Sequence, residues 1–132
     1  MSTQELGFWQ SLWIKHLENG YTQTTSLLCE IEEDGVCCYC ALGLAQEIAY
    51  ANFSYQVAAR YNNARSPRAV TYRDRSKSEE YAHYLTPFAA KLFEFRSTGQ
   101  AEVARRNDRG DSFKKIAADV KANPETYFYE PA

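Results

Sequence analysis

No stretch of this 132-residue chain approaches the roughly 18–20 consecutive apolar residues of a bilayer-spanning helix, which excludes that class. The opening residues, MSTQELGFWQ, lack the basic start and apolar run of a secretory leader. The expectation is a soluble chain in a reducing compartment, the cytoplasm, with its four cysteines as thiols. Charge of one sign is also lacking. The net charge is −2, so bulk electrostatics point to no nucleic-acid partner. No Gly-rich phosphate loop, no H-E-x-x-H and no G-x-S-x-G occurs, so the classes those motifs define have no foothold. Histidine is scarce. A Cys–His enzyme needs a base, and only His16 and His83 exist, neither tied in sequence to a cysteine. There are no internal repeats and no low-complexity linker, and the length fits one domain, 1–132.

What is present is apolar and aromatic. Hydrophobic residues make up 45% and aromatics 14%, with ten Tyr, which argues for an ordered core. STQELGFWQSLWIKHLENG reads as a first helix. Ser2 and Glu5 fit a capping box, Leu6, Trp9, Trp13 and Leu17 form an apolar stripe, and Gly20 sits at the C-terminal cap. Both tryptophans are expected to anchor the core. The Asp-Gly pair at 34–35 signals a hairpin between strands at 25–32 and 36–40. ALGLAQEIAYANF suits a helix with Leu42, Ala45, Ile48 and Ala49 inward, and Gly43 implies a close backbone approach.

Residues 54–78 carry the weakest pattern, with AVTYR as one edge strand. SKSEEYAHYLTPFAAKLFEF reads as helical, with Ser76 and Glu79 as a capping box. Thr86-Pro87 starts a second helical piece. GQAEVARRNDRGDSFKKIAADVKANP reads as helix, turn, helix, capped by Asp111 or Ser112, with Phe113, Ile116, Ala117 and Val120 inward. The tail, ETYFYEPA, is aromatic without a period. The sum is an α+β fold. The first and last helices are expected on a small antiparallel sheet that holds the 25–40 hairpin, with helices from 78–97 beside them.

Three cysteines crowd into GVCCYCALGLA. Cys37 and Cys40 have C-x-x-C spacing, but a structural zinc site takes four ligands, usually as two such pairs, and no second pair exists. On a strand Cys37 faces away from Cys38 and Cys40. Core packing is the favoured reading, ahead of a metal site or a nucleophilic Cys40 at a helix start. No metal, cofactor or catalytic set is implied. Glu32 and Glu33 lie on opposite faces of a strand and form no dyad.

The segment SFKKIAADV is similar to the first helix of a helix-turn-helix, with Arg105, Arg106, Arg109, Lys114 and Lys115 near it. A recognition helix should follow, and KANPETYFYEPA leaves no room for one. Asn107, Asp108 and Asp111 lack the ligand ladder of a calcium loop and read as turn and cap residues.

Charge is unevenly spread. Residues 1–49 carry Glu5, Glu18, Glu30, Glu32, Glu33, Asp34 and Glu47 against Lys15, whereas 60–77 carry Arg60, Arg65, Arg68, Arg73, Arg75 and Lys77 against Asp74. Two candidate contact surfaces follow. One is the acidic set Glu30, Glu32, Glu33 and Asp34. The other is Arg60, Tyr61, Arg65, Arg68, Tyr72, Arg73 and Arg75, which suits a protein partner or the phosphates and base of a nucleotide.

Together WIKHLENGYTQTTSLL, DGVCCYCALGLAQEI and RRNDRGDSFKKIAADV resemble a family of small uncharacterised phage and prophage proteins. The shared features fall on Trp13, Gln23, Tyr39-Cys40-Ala41-Leu42-Gly43 and Asn107 through Ala117. Ala41 stands where that family commonly has a second cysteine. The segment 51–98 has no counterpart. The resemblance implies a phage or bacterial origin, a compact α+β domain in the bacterial cytoplasm, and no activity. Size, composition and resemblance lead to one expectation: a phage-encoded, non-enzymatic binder of a host protein, such as an inhibitor of a defence system. A nucleotide-sequestering protein is the alternative, and a Cys40-dependent enzyme a third reading.

Overall fold

Elements alternate along the chain because short apolar runs are separated by capping residues and turns. The computed structural model describes residues 5–32, 35–60 and 69–129. Within these, the helices are α1 (Phe8–Glu18), α2 (Ala41–Asn52), α3 (Pro87–Leu92), α4 (Ser97–Asp108), α5 (Phe113–Ala122) and α6 (Pro124–Tyr127). The strands are β1 (Cys29–Ile31), β2 (Cys37–Tyr39), β3 (Val57–Arg60) and β4 (Thr71–Asp74), paired as two antiparallel two-stranded sheets. This is the expected α+β class. No helix among the described residues is long and apolar enough to cross a membrane.

Helix α2 runs through the centre, buried on nearly every side from Ala41 to Gln46 and again at Ile48 and Ala49. Its first turn can approach β1 because Gly43 has no side chain. A Cβ there would lie 1.6 Å from the Leu28 carbonyl oxygen. Helix α1 packs on α2 and α5. It begins at Phe8, not near Ser2. Gln10 is buried and its Oε1 accepts the Gly7 N–H at 2.8 Å, while its Nε2 donates to the Phe93 carbonyl at 2.8 Å. Ser2 lies outside the described residues, and Glu5 precedes the helix. The inward face is Trp13, Ile14 and Leu17. Trp13 is fully buried, edge-on to Phe95 and Phe128, and its indole N–H donates to the Ala41 carbonyl at 2.8 Å. Trp9 is only half-buried, so one of the two tryptophans anchors the core as expected.

The hairpin forms in the register Cys29↔Tyr39, Glu30↔Cys38 and Ile31↔Cys37, with Gly35 at φ +85° in its turn. AVTYR supplies β4, whose partner β3 emerges from the weakly patterned segment, Val57 opposite Asp74.

The helix expected over 76–85 does not form. Tyr81 instead bridges Tyr72 antiparallel, and the Ala82 carbonyl accepts the Leu28 N–H at 2.7 Å. These distant partners take the backbone groups that a helix would use, so tertiary pairing overrides the Ser76–Glu79 signal. Thr86 caps α3 as expected. Its Oγ1 accepts the Ala89 N–H, and its backbone and side chain trade bonds with the buried Gln46 amide. The α4–turn–α5 unit also forms, capped by Ser112, whose Oγ accepts the Lys115 N–H at 3.1 Å. Helix α5 packs on α1, α4 and α6 rather than on a sheet, because its apolar side meets α1. Two residues of the aromatic tail are core: Tyr127 and Phe128 are fully buried, and Phe128 bridges Phe95.

Candidate functional site

The segments around Trp13, Gln23, Cys40 and Asn107 meet at the N-terminus of α2. Asn107, 1% exposed, is their junction. Its Oδ1 accepts the Ala41 N–H at 3.0 Å and Gln23 Nε2 at 2.9 Å, while its Nδ2 donates to the Thr24 carbonyl at 2.8 Å. Gln23 Nε2 also donates to the Asp111 carbonyl at 2.8 Å. Trp13 holds the Ala41 carbonyl from the other side. One amide thus ties the segment after α1, the start of α2 and the end of α4 together. Asn107 is more than a turn residue, and its hydrogen-bonding capacity is spent on the fold.

Cys40 caps α2 there, its Sγ accepting the Gly43 N–H at 3.3 Å. A cleft of about 380 Å³ opens beside it, with Ser26, His83, Tyr84 and Asp108 on its walls. Ser26 adopts φ +68°. Asp108 Oδ1 accepts its N–H at 2.9 Å and its carbonyl accepts from His83 Nδ1 at 2.7 Å. That bond places the ring proton on Nδ1. Cys40 is 6% exposed, and burial pushes its thiol up to about 11, against the pull of the helix N–H groups. Burial likewise pushes Cys29 up to about 12. Neither is a poised nucleophile at neutral pH. Cys38 is buried and donates to Glu32 Oε1 at 3.5 Å, and Cys37 is half-buried. All four cysteines are free thiols, three of them in the core. Among the described residues, no three His, Cys, Asp or Glu side chains converge as a metal site.

The two charged surfaces named from the sequence are only partly assembled. Arg60, Tyr72 and Arg73 do share a hollow of about 240 Å³. Arg60 is paired with Glu80 at 3.2 Å, and the other Glu80 oxygen accepts from Thr71 Oγ1 at 3.1 Å. Tyr72 is no stacking platform. It is 0% exposed, its ring meets that of Tyr50 at 6.3 Å, and its hydroxyl donates to Glu47 Oε2 at 3.1 Å. Glu47 is itself raised by burial. Arg73 spends Nη1 on the carbonyls of Arg75 and Lys77, and Arg75 donates to the Ser54 carbonyl. Glu30 and Glu32 are half-buried along the hairpin. Tyr61, Arg65, Arg68, Glu33 and Asp34 lie outside the described residues.

The cations of the α4–α5 unit are largely neutralised in place. Arg106 reaches Glu102, Asp111 and Asp119, Arg105 pairs with Glu102, and Arg109 and Lys115 converge on Asp111. The Arg109 hydrogen bonds hold the Asp111 carboxyl below the usual range. Among the described residues, the element after α5 is the four-residue α6.

The sequence reading missed an exposed aromatic face where α1 begins, α2 ends and α3 begins. Phe8 is 72% exposed and meets Trp9 edge-on at 5.0 Å. Trp9 meets Phe53 at 5.3 Å, which in turn meets Tyr55 at 6.0 Å and Phe88 at 5.3 Å. Tyr55 is 67% exposed. The available signal was Phe8 itself, one position off the Trp9–Trp13–Leu17 stripe. Compared with known protein families, curated proteins and solved structures, the chain matches none.

Proposed function

We infer that the chain is a non-enzymatic binding protein that docks on a protein partner. Its concrete form is a phage-encoded inhibitor of a host component, such as a defence system; the family resemblance supports the phage origin and implies no activity. The observation that carries the reading is the linked face of Phe8, Trp9, Phe53, Tyr55 and Phe88, with two large rings left mostly in water. Contiguous exposed aromatics rimmed by polar residues mark interaction sites, and Trp and Tyr dominate interface hot spots.

The test compares the wild type with a Phe8→Ser/Tyr55→Ser double variant. Both chains are used to capture host proteins, and the captured protein is then purified and titrated against each. Support requires that the double variant bind it roughly tenfold or more weakly at unchanged melting temperature. Equal affinity, or no protein retained by the wild type, overturns the reading. Self-association of the wild type through this face, seen by light scattering, overturns it in favour of a homodimer.

A second reading, nucleotide binding, is favoured by the hollow that Arg60 and Arg73 share. Without Tyr72 to stack a base it rests on phosphate contacts alone. A thermal-shift panel of nucleotides in which none raises the melting temperature removes it.

A further inference from the structure

Beside the aromatic face lies a cleft of about 320 Å³, walled by Asp74, Lys77, Ser78, Glu79, Tyr81 and Pro87. Asp74 is 9% exposed. Its Oδ2 accepts the Phe88 N–H at 3.0 Å. Its Oδ1 is the one buried side-chain polar atom among the described residues that has no hydrogen-bond partner. A buried carboxylate oxygen without a donor is an unmet demand for one, and strongest for a charged donor. The rest of the cleft shares that polarity. Burial, then the hydrogen bond and charge of Glu79 and the charge of Asp74, raise the Tyr81 hydroxyl. Lys77 also lines the cleft, and among the described residues no ion pair joins it to Asp74 or Glu79. Its N–H bonds the Asp74 carbonyl, and its own carbonyl is taken by Arg73.

We propose that this cleft is the anchor pocket for an arginine side chain of the protein partner. The inference rests on the protein-docking reading above and names the partner's chemistry. A guanidinium brings planar donors for two carboxylates and a long apolar stem. Asp74 joins the pocket to the face through Phe88, whose ring touches Phe53. An apolar neighbour of that arginine would therefore meet the rings as the guanidinium enters. A metal ion is the poorer occupant, because no three ligating side chains converge here among the described residues.

The test titrates the full chain, labelled for amide NMR, with the capped tripeptide acetyl-Leu-Arg-Leu-amide. The control replaces arginine by citrulline, which keeps the shape and removes the charge. The expected result is saturable shifts of the Ser78, Glu79, Tyr81 and Phe88 amides with the arginine peptide and none with citrulline. Asp74→Asn should abolish those shifts while amides elsewhere keep their positions. Glu79→Gln, on an exposed residue, should weaken binding without endangering the fold. Equal shifts with citrulline, or no saturable shift, overturn the proposal. Phe8→Ser/Tyr55→Ser separates the two readings. If the arginine peptide fails while the partner still depends on those rings, only this inference falls. If the peptide binds but no partner depends on the rings, the docking reading falls.

Discussion

Replacing Asn107 by Ala should destabilise the protein far more than its single amide suggests. The substitution removes three short hydrogen bonds and a long one to Asp108 in one step. The Ala41 N–H loses its partner in the buried first turn of α2, where no helical carbonyl can replace it. The Thr24 carbonyl loses a donor, and Gln23 keeps only its bond to Asp111. A buried orphan N–H costs about 1–3 kcal/mol, and each of the other losses about 0.5–1.5 kcal/mol, so the total is about 2–6 kcal/mol. That is a large share of the roughly 5–15 kcal/mol typical of a small domain. Urea unfolding followed by the fluorescence of buried Trp13 measures it. Asn107→Asp sharpens the test. The carboxylate still accepts from Ala41 and Gln23 but offers a second oxygen to the Thr24 carbonyl, so it should lose stability at neutral pH. Its folded carboxyl should sit above the ordinary value near 3.9, so the loss should shrink as the pH falls toward that value. A midpoint for Asn107→Ala within about 1 kcal/mol of wild type would refute the reasoning.

Gly43→Ala puts a methyl group 1.6 Å from the Leu28 carbonyl oxygen and 2.5 Å from its carbon. Both are backbone atoms, so the cost should exceed the roughly 1–3 kcal/mol of ordinary overpacking, and a thermal melt within a few degrees of wild type would contradict it. Cys40 and Cys29 should resist thiol reagents at pH 8 in the native state, and all four cysteines should label on unfolding; native labelling of Cys40 at the unfolded rate would contradict this. Because the folded Cys40 pKa is raised above its reference value of 9.0 to about 11, its contribution is intact below 9.0 and lost as the pH rises toward 11. Cys40→Ala should flatten that decline, and an unchanged slope would count against the buried thiol.

Local chemistry made much of this fold legible. Thr86-Pro87, Ser112 and Gly35 act through nearby residues, Gly43 marks the close approach of the Leu28 carbonyl, and each sits where its chemistry requires. The failures share a different cause. Ser76 and Glu79 satisfy a local helix signal, yet Tyr81 pairs with Tyr72 and Ala82 with Leu28 across the fold. Strand β3 is four residues long and draws its order from β4, so no local periodicity announces it. Phe128 is core because Phe95 and Trp13 receive it, and Tyr127 packs beside Phe128 with its hydroxyl bonded to Asp119. The candidate surface was least legible. Exposed charge can be counted in a sequence, but Tyr72 lies in the core, and the Phe8–Phe53–Phe88 face gathers three helical ends that only tertiary structure brings together.

The most direct trial of surface recognition is the dissociation constant of the captured partner for wild type and for Phe8→Ser/Tyr55→Ser, measured side by side with their melting curves. Weaker binding with superimposable melts is the expected result. Identical constants, with the rings gone and the fold intact, would contradict it.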